Sequence, residues 1–459
     1  MKKYRFKGLL QNSGWLEDVS VSVDEKGLIT AIDQNHEGAE FVSGLALPGF
    51  QNAHSHAFQY AMAGLTENHG AESAHDDFWS WRETMYQIAL MIDPEELESI
   101  ATMLYSEMVR HGYTHVAEFH YLHHDKGGKP YSNLAEHGDR LVAAAQIAGI
   151  KMTLIPMFYQ TGGFGKEPGS RQRRFISKTV EDYYRLWEAS KKATEHSKSA
   201  SIGYGIHSIR AVEASDIKKV VGHDQFSGPF HIHVAEQLKE IEDCLTFYGN
   251  RPVEWLIDNT PLNENCHLVH ATHLIKNEIK AIATRGACVV LCPSTEGNLG
   301  DGIFPLHKFQ ELGGRWSIGT DSHIGLNPCE ELRILDYGQR LTSHRRNTFT
   351  YSNKSDHNLY AFDQMLSSGR AAMGHLSKGY FELNSPFDAV IFDAKQPLLA
   401  NTAREYWLPT LLYSADASWI KGTIIDGRWV VENNLHKDQE KIRPAFTKAL
   451  KKLALRSYR

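Results

Sequence analysis

Hydrophobic positions fall into two textures along the chain. Near the start the runs are short and alternate with polar residues: Val19-Ser-Val-Ser-Val-Asp24 and, after a Lys26-Gly27 turn, Leu28-Ile-Thr-Ala-Ile32. That period of two predicts a small antiparallel sheet. From residue 45 the apolar runs become more continuous and are separated by stretches of helical period. Strands are expected at Leu45–Pro48, Thr114–Phe119, Lys151–Met157, Ser201–His207, Pro229–Val234, Cys266–His270, Ala287–Cys292 and Arg315–Asp321. Helix starts lie between them, as at Asp93-Pro-Glu-Glu, which places acidic residues in the first turn. The alternating texture returns at Phe387-Asp-Ala-Val-Ile-Phe-Asp393 and Gly422-Thr-Ile-Ile-Asp-Gly-Arg-Trp-Val-Val431.

Eight buried strands alternating with helices predict a (β/α)8 barrel of the TIM type. An open doubly wound sheet is the competing architecture, but no Gly-x-Gly-x-x-Gly follows the first strand to favour it. Sheet at both ends of the chain predicts a small β-sandwich domain built from residues 1–44 and ~380–440. The barrel is then expected over 45–379 and a C-terminal helix over ~441–459.

Composition narrows the function classes. Of 459 residues, 42% are hydrophobic and 23% charged, and the net charge is −6. No bulk positive field is available for nucleic acid or a membrane surface, so an anionic ligand would need particular arginines and lysines. The five cysteines are odd in number and scattered. Cys288 and Cys292 read as small core residues of a buried strand rather than as a soft-metal site. The first residues lack the apolar stretch of a signal peptide, and no run approaches a membrane span. A cytoplasmic location is expected.

The chemistry is read from the predicted strand ends, where a barrel places its catalytic residues. His54 and His56 stand in Pro48-Gly-Phe-Gln-Asn-Ala-His-Ser-His-Ala57, just after the first expected strand. Residues i and i+2 of a strand project from one face, so both imidazoles can point the same way. A solvated strand end would look the same on that feature alone. The fifth strand, however, ends in His231-Ile-His-Val-Ala-Glu236, the sixth in His270 and the eighth in Asp321-Ser-His323. Three imidazoles and a carboxylate, His54, His56, His233 and Asp321, suit a zinc ion with one position left for water. His69, His75 and His123-His124-Asp125 are read as loop residues without a metal role.

His-x-His after strand one, His after strands five and six, and Asp after strand eight resemble the amidohydrolase superfamily. Binuclear members carry a bridging lysine at the end of strand four, where this chain has Gly205-Ile-His-Ser-Ile-Arg210. The resemblance therefore implies one zinc per chain, with iron as the other candidate. His233-x-x-Glu236 is similar to the deaminase branch, in which that Glu carries protons at a C–N bond. Longer segments are similar to the formimidoylglutamate deiminases of histidine degradation. They are Leu47–Leu65, Phe78-Trp-Ser-Trp-Arg-Glu-Thr-Met-Tyr86, Ala117–Tyr121, His207-Ser-Ile-Arg210, Leu268–His273 and Ser294–Phe304.

That resemblance implies hydrolytic deimination of N-formimidoyl-L-glutamate to N-formyl-L-glutamate and ammonia by metal-activated water. Glu236, His270 and Asp321 would be catalytic, and Gln59, Arg82, Tyr121, His207 and Arg210 would bind a small dicarboxylate substrate. A homodimer is expected, with neither nucleic acid nor membrane as partner. Two readings compete. A mononuclear deaminase of guanine, an s-triazine or a nucleoside would call for an aromatic pocket without the arginines. A non-catalytic assembly module would be expected to have broken metal ligands.

Overall fold

The computed structural model describes residues 2–67, 78–350 and 356–457; His69 and His75 lie outside them. Among the described residues the strands form two sheets. One is a parallel barrel of Phe50–Ser55, Tyr113–His120, Lys151–Phe158, Tyr204–Ser208, Phe230–Val234, Cys266–His270, Cys288–Leu291 and Arg315–Ile318, neighbours in that order. Its seam joins the first and eighth strands through a parallel bridge from Ser55 to Asp321. Thr320 and Asp321 donate their backbone N–H groups to the His54 carbonyl there. Gly319 makes the seam possible, because a Cβ on it would sit 2.6 Å from that of His54.

Two strand expectations need correction. Leu45–Pro48 is not the first barrel strand: it ends the strand Glu40–Pro48 of the other sheet, antiparallel to Ala389–Asp393 and parallel to Lys2–Gln11. The barrel begins instead at Phe50–Ser55, which is buried throughout despite its polar letters. Its polar groups are satisfied inside, as where the Asn52 amide donates to Thr320 Oγ1 at 2.7 Å and accepts from the Thr320 N–H. The fourth strand, expected over Ser201–His207, breaks at Gly203 into Ala200–Ile202 and Tyr204–Ser208. The Trp187 indole N–H donates to the Gly203 carbonyl at 3.0 Å and occupies the break.

The second sheet runs Leu435–His436, Arg428–Glu432, Ile420–Ile425, Ala389–Asp393, Glu40–Pro48, Lys2–Gln11, Gly14–Val23, Ile29–Asp33. It curls until its arms meet: Tyr4 packs edge-on to Trp429 and donates its hydroxyl to the Gly427 carbonyl. Lys151, at the start of the third barrel strand, contacts Asp388 at 2.6 Å and Asp426 at 2.7 Å, clamping the barrel to this sheet. The helix starting at Asp93-Pro-Glu-Glu spans Pro94–Arg110, and the Glu96 carboxylate accepts from the Asp93 N–H. A further helix spans Gln439–Ser457. No described helix is long and apolar enough to cross a membrane, and all five cysteines are free and buried.

Candidate functional site

The side chains at the C-terminal mouth of the barrel converge because the backbone turns sharply there. Ala235, His270 and Asp321 adopt left-handed φ values of 53°, 67° and 46°. Such a conformation costs a residue with a Cβ about 1–3 kcal/mol, and it is concentrated where function demands it. His54 Nε2 lies 3.1 Å from both His56 Nε2 and His233 Nε2. Asp321 Oδ1 is 3.4 Å from His54 and 3.2 Å from His56.

Two of these rings have a fixed proton. His56 Nδ1 donates to the Phe119 carbonyl at 2.9 Å, and His233 Nδ1 donates to the His207 carbonyl at 3.1 Å. Their Nε2 atoms are then lone pairs, which cannot bond to one another. Burial lowers the pKa of all three rings, that of His54 to about 3, keeping them neutral. Burial alone would raise the Asp321 carboxyl, but the hydrogen bond from His54 and the charge of His270 outweigh it and hold it well below its ordinary value. Neutral imidazoles bonded to Zn²⁺ at 2.0–2.1 Å in a tetrahedron would be separated by about 3.3 Å. The donor set therefore fits a metal ion.

His270 sits beside this cluster among carboxylates. Its Nε2 is 3.7 Å from Glu236 and 3.8 Å from Asp321, and its Nδ1 is 3.3 Å from Glu296. Burial opposes its charge, yet Glu236, Glu296 and Asp321 prevail and push its pKa up to about 10. Burial also raises the Glu236 carboxyl, against the pull of His270 and Arg210. Cys292 is near His270 and Glu296, and its buried thiol is pushed well up.

A cavity opens over these groups, and its wall contains every residue expected to bind substrate: Gln59, Arg82, Tyr121, His207 and Arg210. Gln59 donates to the Tyr121 hydroxyl at 2.9 Å, while its own carbonyl oxygen is buried without a partner among the described residues. Arg210 pairs with Glu240 at 3.5 Å. Arg82 lies on the helix Phe78–Met91, its guanidinium stacked over Trp79 at 4.4 Å. That helix is fastened from outside: the buried Arg174 donates to its carbonyl at Ala89 and to that of Ile92 just beyond its end. Arg171 also pairs with Glu83. His123 and His124 lie outside the cavity and point to the carbonyls of Met157 and Ile176.

Several residues here escaped the sequence reading. Glu118 accepts from the Ser55 hydroxyl at 2.6 Å and the Ala57 N–H at 2.7 Å, gripping the chain on both sides of His56. Glu240 is fully buried and accepts from the N–H groups of Ala235 and Glu236, each at 3.2 Å, while pairing with Arg210. Its position four residues after Glu236, in the first turn of Leu238–Tyr248, was the available signal. Asp301 approaches both Glu236 and His270, and burial raises its carboxyl to about 9. Tyr86 and Tyr159 complete the far wall.

The amidohydrolase family model matches residues 45–430. The chain is 41% identical over 445 residues to formimidoylglutamate deiminase of Pseudomonas aeruginosa, covering 96% of this chain and 97% of that one. It is 25% identical over 456 residues to the 5-methylthioadenosine/S-adenosylhomocysteine deaminase of Halobacterium salinarum, covering 96% of this chain and 95% of that one. Among solved structures, an amidohydrolase from Brucella melitensis superposes with a TM-score of 0.92 at 38% identity, over 99% of this chain and all of the other. An adenosine deaminase from Xanthomonas campestris with bound zinc shares the fold, with a TM-score of 0.80 at 20% identity over 99% and 98% of the two chains. With a match that spans most of its length and a histidine–aspartate cluster at the mouth of its barrel, the chain belongs to the amidohydrolase family.

Proposed function

We propose that the chain hydrolyses N-formimidoyl-L-glutamate to N-formyl-L-glutamate and ammonia, in histidine degradation. The observation that carries this reading is one cavity in which Glu236 and the imidazole cluster face Arg82, Arg210, Gln59, Tyr121 and His207. A deaminase of flat neutral heterocycles has no use for two guanidiniums in that wall, whereas a dicarboxylate needs them. The 41% identity to a formimidoylglutamate deiminase supports the same substrate.

His54, His56, His233 and Asp321 would hold one metal ion, zinc in the first instance and iron as the alternative. Such an ion, when bound, lowers the pKa of water from ~15.7 to about 7 and polarises the carbon under attack. The remaining work belongs to the side chains. Arg210, Tyr121 and Gln59 fix the glutamate portion so that the formimidoyl carbon faces the cluster. The Glu236 carboxylate attracts the cationic amidine, takes up the proton that the attacking water gives up and passes it to the terminal nitrogen, so that nitrogen leaves as ammonia while the carbon keeps the oxygen from water. His270, charged beside Glu236 and Asp321, donates a hydrogen bond to the attacking oxygen and steadies the negative charge that develops there. The active species in this reading is a homodimer, which light scattering of the purified protein checks.

Product analysis by NMR tests the reaction. Ammonia and N-formylglutamate in equal amounts are expected; formamide and glutamate would mean that the wrong nitrogen leaves and that Glu236 is misassigned.

A further inference from the structure

We propose that Tyr159 and Tyr86 form a hydroxyl pair that receives the distal carboxylate of the substrate, with the buried Gln172 as the positioning residue that aims them. This rests on the formimidoylglutamate reading and extends it to residues on the far wall of the cavity.

The argument is one of donors and acceptors. The Gln172 carbonyl oxygen accepts the Gly169 N–H at 2.8 Å, which fixes the orientation of its amide. Its NH2 group must then face the other way, where it donates to the Tyr159 hydroxyl at 2.7 Å and the Tyr86 hydroxyl at 3.3 Å. Both tyrosines are therefore acceptors toward Gln172, and each retains its own O–H proton. The two hydroxyl oxygens are 3.4 Å apart, so one proton can serve the other tyrosine. The second proton has no acceptor among the described residues, and both rings line the cavity. Burial pushes Tyr159 far above its ordinary pKa, so it remains a donor at all working pH values.

The neighbours of the pair define the ligand. The Arg82 guanidinium lies 5.4 Å from the centre of the Tyr86 ring, and Arg210 shares the same cavity wall. A hydroxyl donor without an acceptor beside two guanidiniums suits a carboxylate, which accepts up to about four hydrogen bonds. The position selects which carboxylate. His207 lies 5.0 Å from His233 of the metal-type cluster, and Tyr159 lies 4.5 Å beyond His207, ring to ring. The pair is thus one aromatic layer farther from the reacting carbon than His207. Arg210, held by Glu240 next to Glu236, is left for the nearer carboxylate.

The test uses metal-loaded enzyme and two substrates, N-formimidoyl-L-glutamate and N-formimidoyl-L-glutamine, whose distal group is a neutral amide. The double variant Tyr86→Phe with Tyr159→Phe should raise KM for the glutamate substrate by about ten- to a hundredfold, with kcat within about threefold and metal content unchanged. On the glutamine substrate the change should be less than about threefold, so discrimination between acid and amide collapses. Gln172→Glu provides a second route that keeps both rings. Its carboxylate would capture the tyrosyl protons and add a negative charge, so KM should again rise for the acid and not for the amide. Equal losses on both substrates, or an unchanged KM in the double variant and Gln172→Glu, would mean a purely structural role and overturn the proposal. A wild-type enzyme inactive on both substrates overturns the functional reading, and this proposal with it.

Discussion

At the C-terminal mouth of the barrel, His54 brings its Nε2 atom to 3.1 Å from those of both His56 and His233, with Asp321 and His270 close by. At the opposite mouth, His115, His231, His267 and His375 are as densely placed, and two are separated from site residues by only two or three positions. Yet His231 spends Nε2 on the Ala372 carbonyl, His115 on the Thr153 hydroxyl, and His267 stacks on His231 with ring centres 4.8 Å apart. Burial leaves the lower rings neutral, as it does the upper ligands. What separates the two ends is where the spare lone pairs meet. Above, backbone carbonyls take the Nδ1 protons of His56 and His233, and the Nε2 atoms converge around a carboxylate. Below, the Nε2 atoms of His231 and His115 are consumed locally, while both ring nitrogens of His267 are buried without a hydrogen-bond partner among the described residues. A count of histidines says little; their second hydrogen bonds say much.

The comparison is broken most severely by exchanging neighbours on one strand. His233→Ala should lose metal and activity together, with kcat/KM down by at least about 10³-fold. His231→Ala, two residues earlier, should keep the metal and lower only the melting temperature. Elemental analysis beside an ammonia assay reads both, and metal loss from the His231 variant would erase the distinction. Glu236→Gln comes next: it preserves shape but cannot carry a proton, so kcat should fall by about 10²–10⁴ with metal retained. Near-normal turnover would remove Glu236 from proton transfer.

Arg210→Met should act in KM. A charged hydrogen bond of about 1.5–3 kcal/mol corresponds to a ten- to several-hundred-fold loss in kcat/KM. An unchanged KM would make the Glu240 pair structural alone. The smallest effect belongs to the lower mouth. Burial depresses His267, so the unfolded chain binds its proton first as pH falls below about 6.5, and native stability is lost in that direction. His267→Leu should therefore flatten the acid decline by up to about 1.4 kcal/mol per pH unit while leaving kcat alone. Denaturant titrations at pH 5 and pH 7 measure it; parallel declines in variant and wild type would contradict the assignment.

The metal-type cluster was legible in the sequence because histidines and an aspartate at successive strand ends form a pattern that packing rarely requires. The alternation of strand and helix exposed the barrel for the same reason. What stayed hidden depends on contacts between distant positions. Nothing local marks Gln172 as a neighbour of Tyr86, on a different connecting segment, or Glu118 as the clasp around His56. The misplaced first strand has a different cause. Leu45–Pro48 is the more apolar run and drew the assignment, whereas Phe50–Ser55 is buried by virtue of polar pairings that hydrophobicity does not register.

The seam between the two sheets has a consequence for the order of assembly. Pro48 pairs with Ala389, so the central strands of the second sheet come from positions roughly 340 residues apart in the chain. Closing so long a loop in an unfolded chain carries a large entropic cost, and parallel barrel strands must themselves form from non-local pairs. Once the barrel has folded, however, Gly49 leads from Pro48 directly into its first strand, while the helix His357–Ala372 packs on the eighth and delivers the chain toward Ala389. The barrel acts as a template that shortens the search for the sheet. Refolding should therefore have an early phase reported by barrel tryptophans such as Trp316 and a later one reported by Trp429, with the Lys151 clamp to Asp388 and Asp426 forming only in the second.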